Sequence, residues 1–398
     1  MLAGCLPLLE ALPIVGMSSA GAAPQQQAAG GGAGAHHHKP GTRRRSGPDT
    51  VKPEAGCSLP PRDMGASAKD VTGCWEDAGA SPLMIRGSDY MKTKVKVQTA
   101  QPIYQLVATD VFSTTTKKET CHMARVVQLP HTPPPVQFGD ATLPPLLIFN
   151  LQLPMYQPSL FGEMDGPGVS ILFYFRIRDG MDGNSPALAK PLGALKRLIA
   201  NGRELDGSPT RERLKLLPRV VNVEQWAQKG PLSPAEHKLL VSYNEKPILT
   251  RPQHTFYSGR NYFEIDLDLH QYTYLARKAV VTYLTRLKHV VWENAFVIQG
   301  NCPEELPEHL LGAARVYRTD FQACKPFSHY VAALAASHPP AHPLAATTPS
   351  ATDSAYQGEE EAGQQQQRSA AASQGGAAAP AASNGGADMS AARGAASS

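Results

Sequence analysis

The chain has 398 residues, which leaves room for one or two domains, and 42% of them are apolar. The 34 glycines and 35 prolines predict long loops or unpatterned segments beside any folded part. A formal net charge of +4 is too small to favour nucleic acid as a partner, and none is predicted.

The cysteines and the apolar runs indicate the compartment. Six cysteines occur without a CxxC pair and without the spacing of zinc ligands, which predicts reduced thiols. No run approaches the roughly 18 apolar residues of a membrane span. The apolar start of the chain lacks a basic region and is interrupted by Glu10 and Pro13, unlike a signal peptide. We therefore expect a cytoplasmic protein without a transmembrane segment, for which any contact with a membrane would be peripheral.

Composition divides the chain into three parts. Residues 1–70 show no hydrophobic periodicity and are predicted to be a disordered, low-complexity tail. Residues 71–324 carry the patterned segments and are predicted to form the folded domain. Residues 325–398 consist mainly of Ala, Gln, Ser and Gly and are predicted to be a second disordered tail.

The first half of the domain is predicted to be rich in strands. Residues 83–86, 91–97 and 104–112 have the composition of strands. A proline-rich segment at 129–145 predicts an irregular loop. Two nearly continuous apolar runs follow, and such runs are typical of central strands whose two faces are both covered. They are LLIFNLQLP at residues 146–154 and GVSILFYFRIRD at residues 168–179.

The second half mixes helices and strands. Leucines at three- and four-residue spacing predict a helix over 187–200, and a longer apolar stripe predicts another over 272–289. Strict alternation of apolar and polar residues predicts a strand over 262–269, and further strands are predicted at 290–298 and 314–321. The expected class is α+β, with a largely antiparallel, curved sheet and the long helix packed on one face.

Several separate motifs occur in the same order as in a known family. They are FNLQLP (149–154), RERLKLLP (211–218), GRNYFEIDLD (259–268), AFVIQG (295–300) and PEELPEHLLGAARV (303–316). In these motifs the chain resembles the C-terminal domain of the plant Enhanced Disease Resistance 2 proteins. The resemblance implies a role near membranes and lipids and supplies no catalytic residue. Larger members of that family join this domain to a lipid-transfer-type domain and a phosphoinositide-binding domain, which are not recognised here.

Two groups of basic residues are candidates for contact with lipid or anionic headgroups. One group is the alternating lysines Lys92, Lys94 and Lys96. The other lies on and just after the predicted long helix and comprises Arg277, Lys278, Arg286 and Lys288. Basic residues near an anionic membrane are attracted to its surface. The predicted partner is therefore lipid or an anionic membrane surface.

The acidic candidates are Glu264, Asp266 and Asp268, which alternate along the predicted strand 262–269. Alternate carboxylates lie about 7 Å apart on one strand face and are weak candidates for a metal site. The other interpretation is a solvent-facing polar surface that pairs with the lysines of 92–96. No motif of nucleophilic, zinc or nucleotide chemistry occurs, so neither catalytic residue nor cofactor is predicted.

The expected function is a non-catalytic lipid- or membrane-associated binding module, with a lipid-sized apolar cavity as a further hypothesis. One alternative is a metal-assisted hydrolase that uses the acidic strand face. The other is a protein-interaction module whose tails recruit partners. A group of acids converging in a pocket would favour the hydrolase, and a flat exposed apolar patch would favour the interaction module.

Overall fold

A computed structural model describes residues 51–67, 71–79, 82–160, 162, 164–221, 223, 233–251 and 253–337. Most of both predicted tails lies outside the described residues.

Short strands and few helices make up the described chain. The strands are β1 (Cys74–Asp77), β2 (Met84–Arg86), β3 (Lys96–Gln98), β4 (Tyr104–Thr114), β5 (Val136–Phe138), β6 (Ala141–Leu143), β7 (Leu146–Pro154), β8 (Gly168–Ile177), β9 (Leu214–Val220), β10 (Ile248–Leu249), β11 (His254–Ser258), β12 (Tyr262–Asp268), β13 (Val291–Ile298) and β14 (Leu310–Tyr317). The α-helices are α1 (Tyr90–Thr93), α2 (Ala189–Ile199), α3 (Pro234–Tyr243), α4 (Tyr274–Leu284) and α5 (Phe327–Ser337).

Two five-stranded sheets and two hairpins contain all of these strands. The first sheet has the order β11-β12-β7-β8-β4, and the second has the order β1-β14-β13-β9-β10. The hairpins are β2–β3 and β5–β6. Within the described sheets, β12 and β7 pair in parallel and the other neighbours pair antiparallel. The expected α+β class with largely antiparallel sheets is confirmed.

Aromatic side chains join the two sheets face to face. Phe149 of the first sheet stacks on Phe296 of the second, with ring centroids 3.5 Å apart. Phe173 and Phe175 pack edge-on or tilted against the same ring, and Gly312 leaves the space that the Phe175 ring occupies. The sequence predicted one sheet with the long helix on one face. In the structure, this face of the first sheet is covered by the second sheet as well. A lipid-sized apolar cavity was one hypothesis for this fold. Between the two sheets, the middle of the space is filled by these aromatic rings.

The outer face of the first sheet is covered by three segments from different parts of the chain. They are residues 51–59, residues 117–127 and α5, whose Phe327 and Tyr330 pack edge-on against Phe112. The first and third of these lie in the predicted tails. The packed part of the chain therefore extends beyond residues 71–324 at both ends.

Some predicted limits differ from those of the structure for local reasons. The predicted strand 91–97 is divided into α1 and β3 because Lys94 adopts a left-handed conformation, with φ of 57°, and ends the helical turn. The helix predicted over 272–289 begins at Tyr274, directly after its N-cap Thr273, and ends at Leu284, and a 3₁₀ turn follows. The strand predicted over 314–321 is β14, which begins four residues earlier.

Candidate functional site

Glu264, Asp266 and Asp268, which we call the carboxylate row, lie on the outer face of β12. The opposite side chains of this strand, including Phe263 and Leu267, face the core between the sheets, as the alternation predicted. The interpretation of the row as a solvent-facing surface is wrong, because the three acids are 0%, 3% and 9% exposed. Residues 117–127 cover this face of the first sheet and exclude water from it.

Backbone N–H groups of the covering segment bind the first two carboxylates. Glu264 accepts hydrogen bonds from the N–H groups of Met123 (2.7 Å) and Ala124 (2.9 Å). Asp266 accepts one from the N–H group of His122 at 3.0 Å. These donors belong to the start of a short 3₁₀ helix, whose first N–H groups have no partner within the helix. The row therefore fastens the covering segment to the sheet.

Asp268 is held by a different set of donors. Lys117 Nζ lies 2.7 Å from Asp268 Oδ2 and forms an ion pair with it. The N–H of His270 and the side-chain amide of Gln271 also donate to this carboxylate, at 3.0 and 2.7 Å. The suggested pairing of the row with the lysines of 92–96 is thus wrong for Asp268, whose cation is Lys117.

Burial shifts the protonation of the row. The pKa of Glu264 is raised to about 8, chiefly by burial and also by the neighbouring charge of Asp266, while the backbone N–H bonds oppose the shift. Burial likewise raises the pKa of Asp266 to about 6. Within the described part of the chain, no group of three or more His, Cys, Asp or Glu side chains is arranged to hold a metal ion. The oxygens of the row are occupied by protein donors, which gives the hydrolase alternative no support.

The two basic candidates that follow the end of α4 are paired with carboxylates. Arg286 Nη2 lies 3.0 Å from Glu236 Oε1 of α3. Lys288 Nζ lies 3.5 Å from Asp320 Oδ2. Because their charges are paired within the protein, these two residues are poor candidates for binding an external anion.

The two basic candidates in the first half of α4 differ from each other. Lys278 is exposed, and its Nζ lies 5.8 Å from the centre of the Tyr274 ring. Arg277 is buried, and its Nη2 donates to the backbone carbonyl of Ser159 at 2.9 Å. Arg277 therefore does not belong to any exposed basic surface.

The lysine group lies on residues 84–98, which comprise β2, α1 and β3 and which we call the basic hairpin. Lys92 and Lys94 are exposed, and Lys96 is half-buried. No residue in the described ranges forms an ion pair with any of the three, while Lys94 Nζ lies 5.6 Å from the centre of the Tyr90 ring. These lysines remain available to an external anionic partner.

Apolar side chains are exposed on the same hairpin. Val95 is 62% exposed, Val97 is 43% exposed and Met84 is 39% exposed. Ile85 of β2 is buried in a cluster that includes Leu217 of the second sheet, and this contact anchors the hairpin. The sequence analysis missed this apolar component because it predicted a strand over 91–97 and considered only the lysines as a contact surface. The signal was the alternation of lysine with valine in KTKVKV.

The structure does not bring the two predicted basic groups together. The hairpin is anchored on the second sheet through Ile85. In contrast, α4 lies against the first sheet and the core, where Leu284 is buried. The seven candidates are therefore divided between different surroundings, and the basic hairpin is the part that offers an exposed, unpaired surface.

A polar depression of about 310 Å³ lies beside α2, and its lining includes Lys190, Arg197, Glu204 and Glu304. Its cations are bound within the protein. Lys190 Nζ donates to two backbone carbonyls, at 3.1 and 2.7 Å, and Arg197 pairs with Glu204 at 2.7 Å. A depression lined by charges of both signs, with its cations bound to protein oxygens, does not resemble a lipid site.

Comparison with known proteins gives a consistent result. The family model described as Protein ENHANCED DISEASE RESISTANCE 2, C-terminal, matches residues 75–320. A protein from Arabidopsis thaliana described as Protein ENHANCED DISEASE RESISTANCE 2-like is 24% identical over 257 residues. That alignment covers 64% of this chain and 30% of the relative, so the chain spans less than a third of that protein. No solved structure matches the chain. No helix in the described ranges is long and apolar enough to cross a membrane.

Proposed function

Because this chain belongs to the family of the Enhanced Disease Resistance 2 C-terminal domain, we propose that it is a non-catalytic module that binds anionic membrane surfaces. The basic hairpin is its contact surface. The association is peripheral and takes place in the cytoplasm. The five cysteines in the described ranges are free thiols, which suits a reducing compartment.

One observation carries this proposal, namely that exposed apolar side chains alternate with unpaired lysines on a single anchored hairpin. Residues 84–98 contain four basic residues and one acidic residue, Asp89, which gives a net charge of +3. The apolar side chains of Val95 and Val97 suit the boundary between headgroups and acyl chains. The lysines beside them suit the phosphates and carboxylates of anionic lipids.

The size of the attraction is sufficient for reversible binding. Each basic residue close to an anionic membrane contributes about 1 kcal/mol, so the three lysines contribute about 3 kcal/mol. This energy corresponds to roughly a hundredfold increase in membrane partitioning. Burial of the exposed valines adds to it, at about 25 cal/mol for each Å² of apolar surface that leaves water. The charge-dependent part weakens as ionic strength rises.

The carboxylate row has the features of a structural contact within the protein, which supports a non-catalytic module. A general acid or base must reach the proton that it transfers. Glu264 and Asp266 instead lie beneath residues 117–127 and bind the backbone of that segment. Their raised pKa values follow from burial within the fold, which structural carboxyl groups also experience.

Vesicle flotation of the full chain tests the proposal. The wild type is expected to float with phosphatidylcholine vesicles that contain phosphatidylserine and to float much less with phosphatidylcholine alone. Changing Lys92, Lys94 and Lys96 together to Gln is expected to lower the partition coefficient on the anionic vesicles by about tenfold or more. Changing Val95 and Val97 to Ser is expected to weaken vesicle binding by a factor that is similar at low and at high salt concentration.

The matched control removes three other exposed lysines, Lys118, Lys238 and Lys325, which lie outside the hairpin. It produces the same change in net charge, and most of the vesicle binding is expected to remain. Equal losses in the two triple variants would mean that net charge alone attracts the chain. That result, or a wild type that does not float with anionic vesicles, would overturn the proposal that the hairpin is the contact surface.

A further inference from the structure

Arg277 is a buried cation for which the described residues supply no anionic partner. It is the fourth residue of α4, and 4% of its surface is exposed. Nη2 donates to the carbonyl of Ser159, whereas Nε and Nη1 are buried without a hydrogen-bond partner in the described ranges. A guanidinium stays protonated at physiological pH. A buried charge without a counter-ion is strongly unfavourable, so such a group is best stabilised by an anion from outside.

Two acids, Asp268 and Asp165, act with Arg277 on the charge of His270, and both already have other partners. Asp268 forms an ion pair with Lys117 and also accepts two further hydrogen bonds. Asp165 accepts the backbone N–H groups of Lys117 (2.9 Å) and Gly166 (2.8 Å). Neither carboxylate forms an ion pair with Arg277, although both lie in the same region of the structure. The missing negative charge is therefore not supplied by these two residues.

The position of Arg277 at the start of α4 also favours an anion. Helical side chains tilt toward the N-terminus of their helix, so the guanidinium lies near the positive end of the α4 dipole. Burial lowers the pKa of the nearby His270; the charges of Asp268 and Asp165 oppose this shift, whereas those of Lys117 and Arg277 lower the pKa further. The neutral imidazole adds no second fixed positive charge and retains an N–H donor.

The guanidinium lies close to solvent despite its burial. The residue that contacts it, Ser159, is itself exposed, and so is the next residue, Leu160. One layer of chain thus separates Arg277 from solvent. A small anion reaches it through a local displacement of these residues without opening the core between the sheets.

We propose that Arg277 is the receptor for a phosphate group, carried either by a free phosphate or phosphomonoester or by a lipid headgroup. The oxygens of a phosphate can accept hydrogen bonds from both unpartnered nitrogens, and arginine is well suited to binding this group. The site is separate from the basic hairpin and does not depend on it. Its ligand neutralises a charge that no residue in the described part of the chain pairs.

Thermal melting of the full chain tests this site, with inorganic phosphate as the first probe and chloride at matched ionic strength as its reference. Wild type is expected to gain about 2–3 °C in Tm at phosphate concentrations about tenfold above Kd. Arg277→Met is expected to abolish the gain. Its Tm without phosphate is expected to equal or exceed that of the wild type, because an uncompensated buried charge has been removed. Lys278→Met removes an exposed charge at the next position and is expected to keep the gain.

The second probe is a phosphatidylcholine vesicle that contains phosphatidic acid, compared with one of equal charge that contains phosphatidylserine. If inorganic phosphate gives no gain but phosphatidic acid is preferred and Arg277→Met loses that preference, the phosphate belongs to a lipid. If Arg277→Met does not fold, Arg277→Lys replaces it, and calorimetric titration of the wild type with phosphate measures binding directly. The proposal is overturned if neither probe acts on the wild type, or if their effects persist in the Arg277 variants.

The two proposals fail separately. Changing the three hairpin lysines to Gln is expected to leave the phosphate-dependent gain in Tm intact. Arg277→Met is expected to leave binding to phosphatidylserine vesicles intact. If the wild type shows only one of these two responses, the proposal for the other site is the one that fails.

Discussion

At Glu264, one carboxyl group connects the sheet to the segment that covers it. Its two oxygens accept the N–H groups of Met123 and Ala124, donors that every residue type except proline carries. The identity of the side chains in residues 117–127 therefore says little about this contact. The alternation along β12 predicted which side chains share a face, but it contained no signal that the polar face would be buried.

Glu264→Gln is expected to destabilise the protein by about 1–3 kcal/mol, because the amide nitrogen cannot accept an N–H bond that a carboxyl oxygen accepts. The loss should depend on pH. Since burial raises the pKa of Glu264 from 4.5 to about 8, its contribution to stability is complete below pH 4.5 and is lost as pH rises through 8. The variant side chain cannot titrate. The difference in Tm from wild type should therefore be larger at about pH 5 than at about pH 8.5.

Glu304→Gln is the matched control, because Glu304 is exposed. It is expected to change Tm little at either pH. If the Tm difference between Glu264→Gln and the wild type stays constant from acid to alkaline pH, Glu264 does not titrate within this range in the folded protein.

At the scale of elements, the limits of strands were predicted best where the apolar pattern was strongest. The structure gives β7 the limits 146–154, as predicted, because its nearly continuous apolar run is buried on both faces. The basic hairpin was misread because a left-handed residue, Lys94, ends a helical turn inside a stretch with strand composition. Periodicity describes side chains, whereas this break is a property of one backbone conformation.

The hydrophobic pattern also could not predict that the strands are divided between two sheets. A strand that is apolar on both faces needs two covering layers, but its sequence does not say whether a layer is a helix or another sheet. Here one layer is the second sheet, which contacts the first through the stacked rings of Phe149 and Phe296. Long-range pairing of this kind leaves no local sequence signal.

Phe149→Ala is expected to cost about 3–5 kcal/mol, as is typical when a fully buried ring is removed. The ring is 1% exposed and contacts the opposite sheet, so its removal leaves a cavity between the sheets. Urea unfolding measures the loss as a lower midpoint with an unchanged slope. Leu160→Ala is the control, because Leu160 is 67% exposed and a change of about 0.5 kcal/mol or less is expected there. Comparable losses at both positions would contradict the face-to-face packing of the sheets.

At the scale of the whole molecule, segments outside the predicted domain supply hydrogen bonds to its interior. Asp110 of β4 is fully buried and accepts bonds from the N–H groups of Gly56 (2.7 Å) and Ser58 (2.9 Å). The Ser58 hydroxyl also donates to it, at 2.7 Å. Residues 51–67 lack hydrophobic periodicity, so pattern analysis assigned them to a tail. Their contribution consists mainly of polar donors, with Leu59 as a buried apolar contact.

A fragment of residues 51–337 is therefore expected to be more stable than a fragment of residues 71–324, even though the added residues are mostly polar. The shorter fragment leaves Asp110 without its three donors, and an unsatisfied buried acceptor costs about 1–3 kcal/mol, or more when it is charged. Asp110→Asn separates this effect from the loss of Leu59 and of the α5 contacts. The substitution removes a carboxyl group whose donors are present in the longer fragment and absent from the shorter fragment. It should lower the Tm of the longer fragment and lower that of the shorter one less, or raise it. If the substitution lowers the Tm of both fragments equally, the donors of residues 56–58 do not stabilise Asp110.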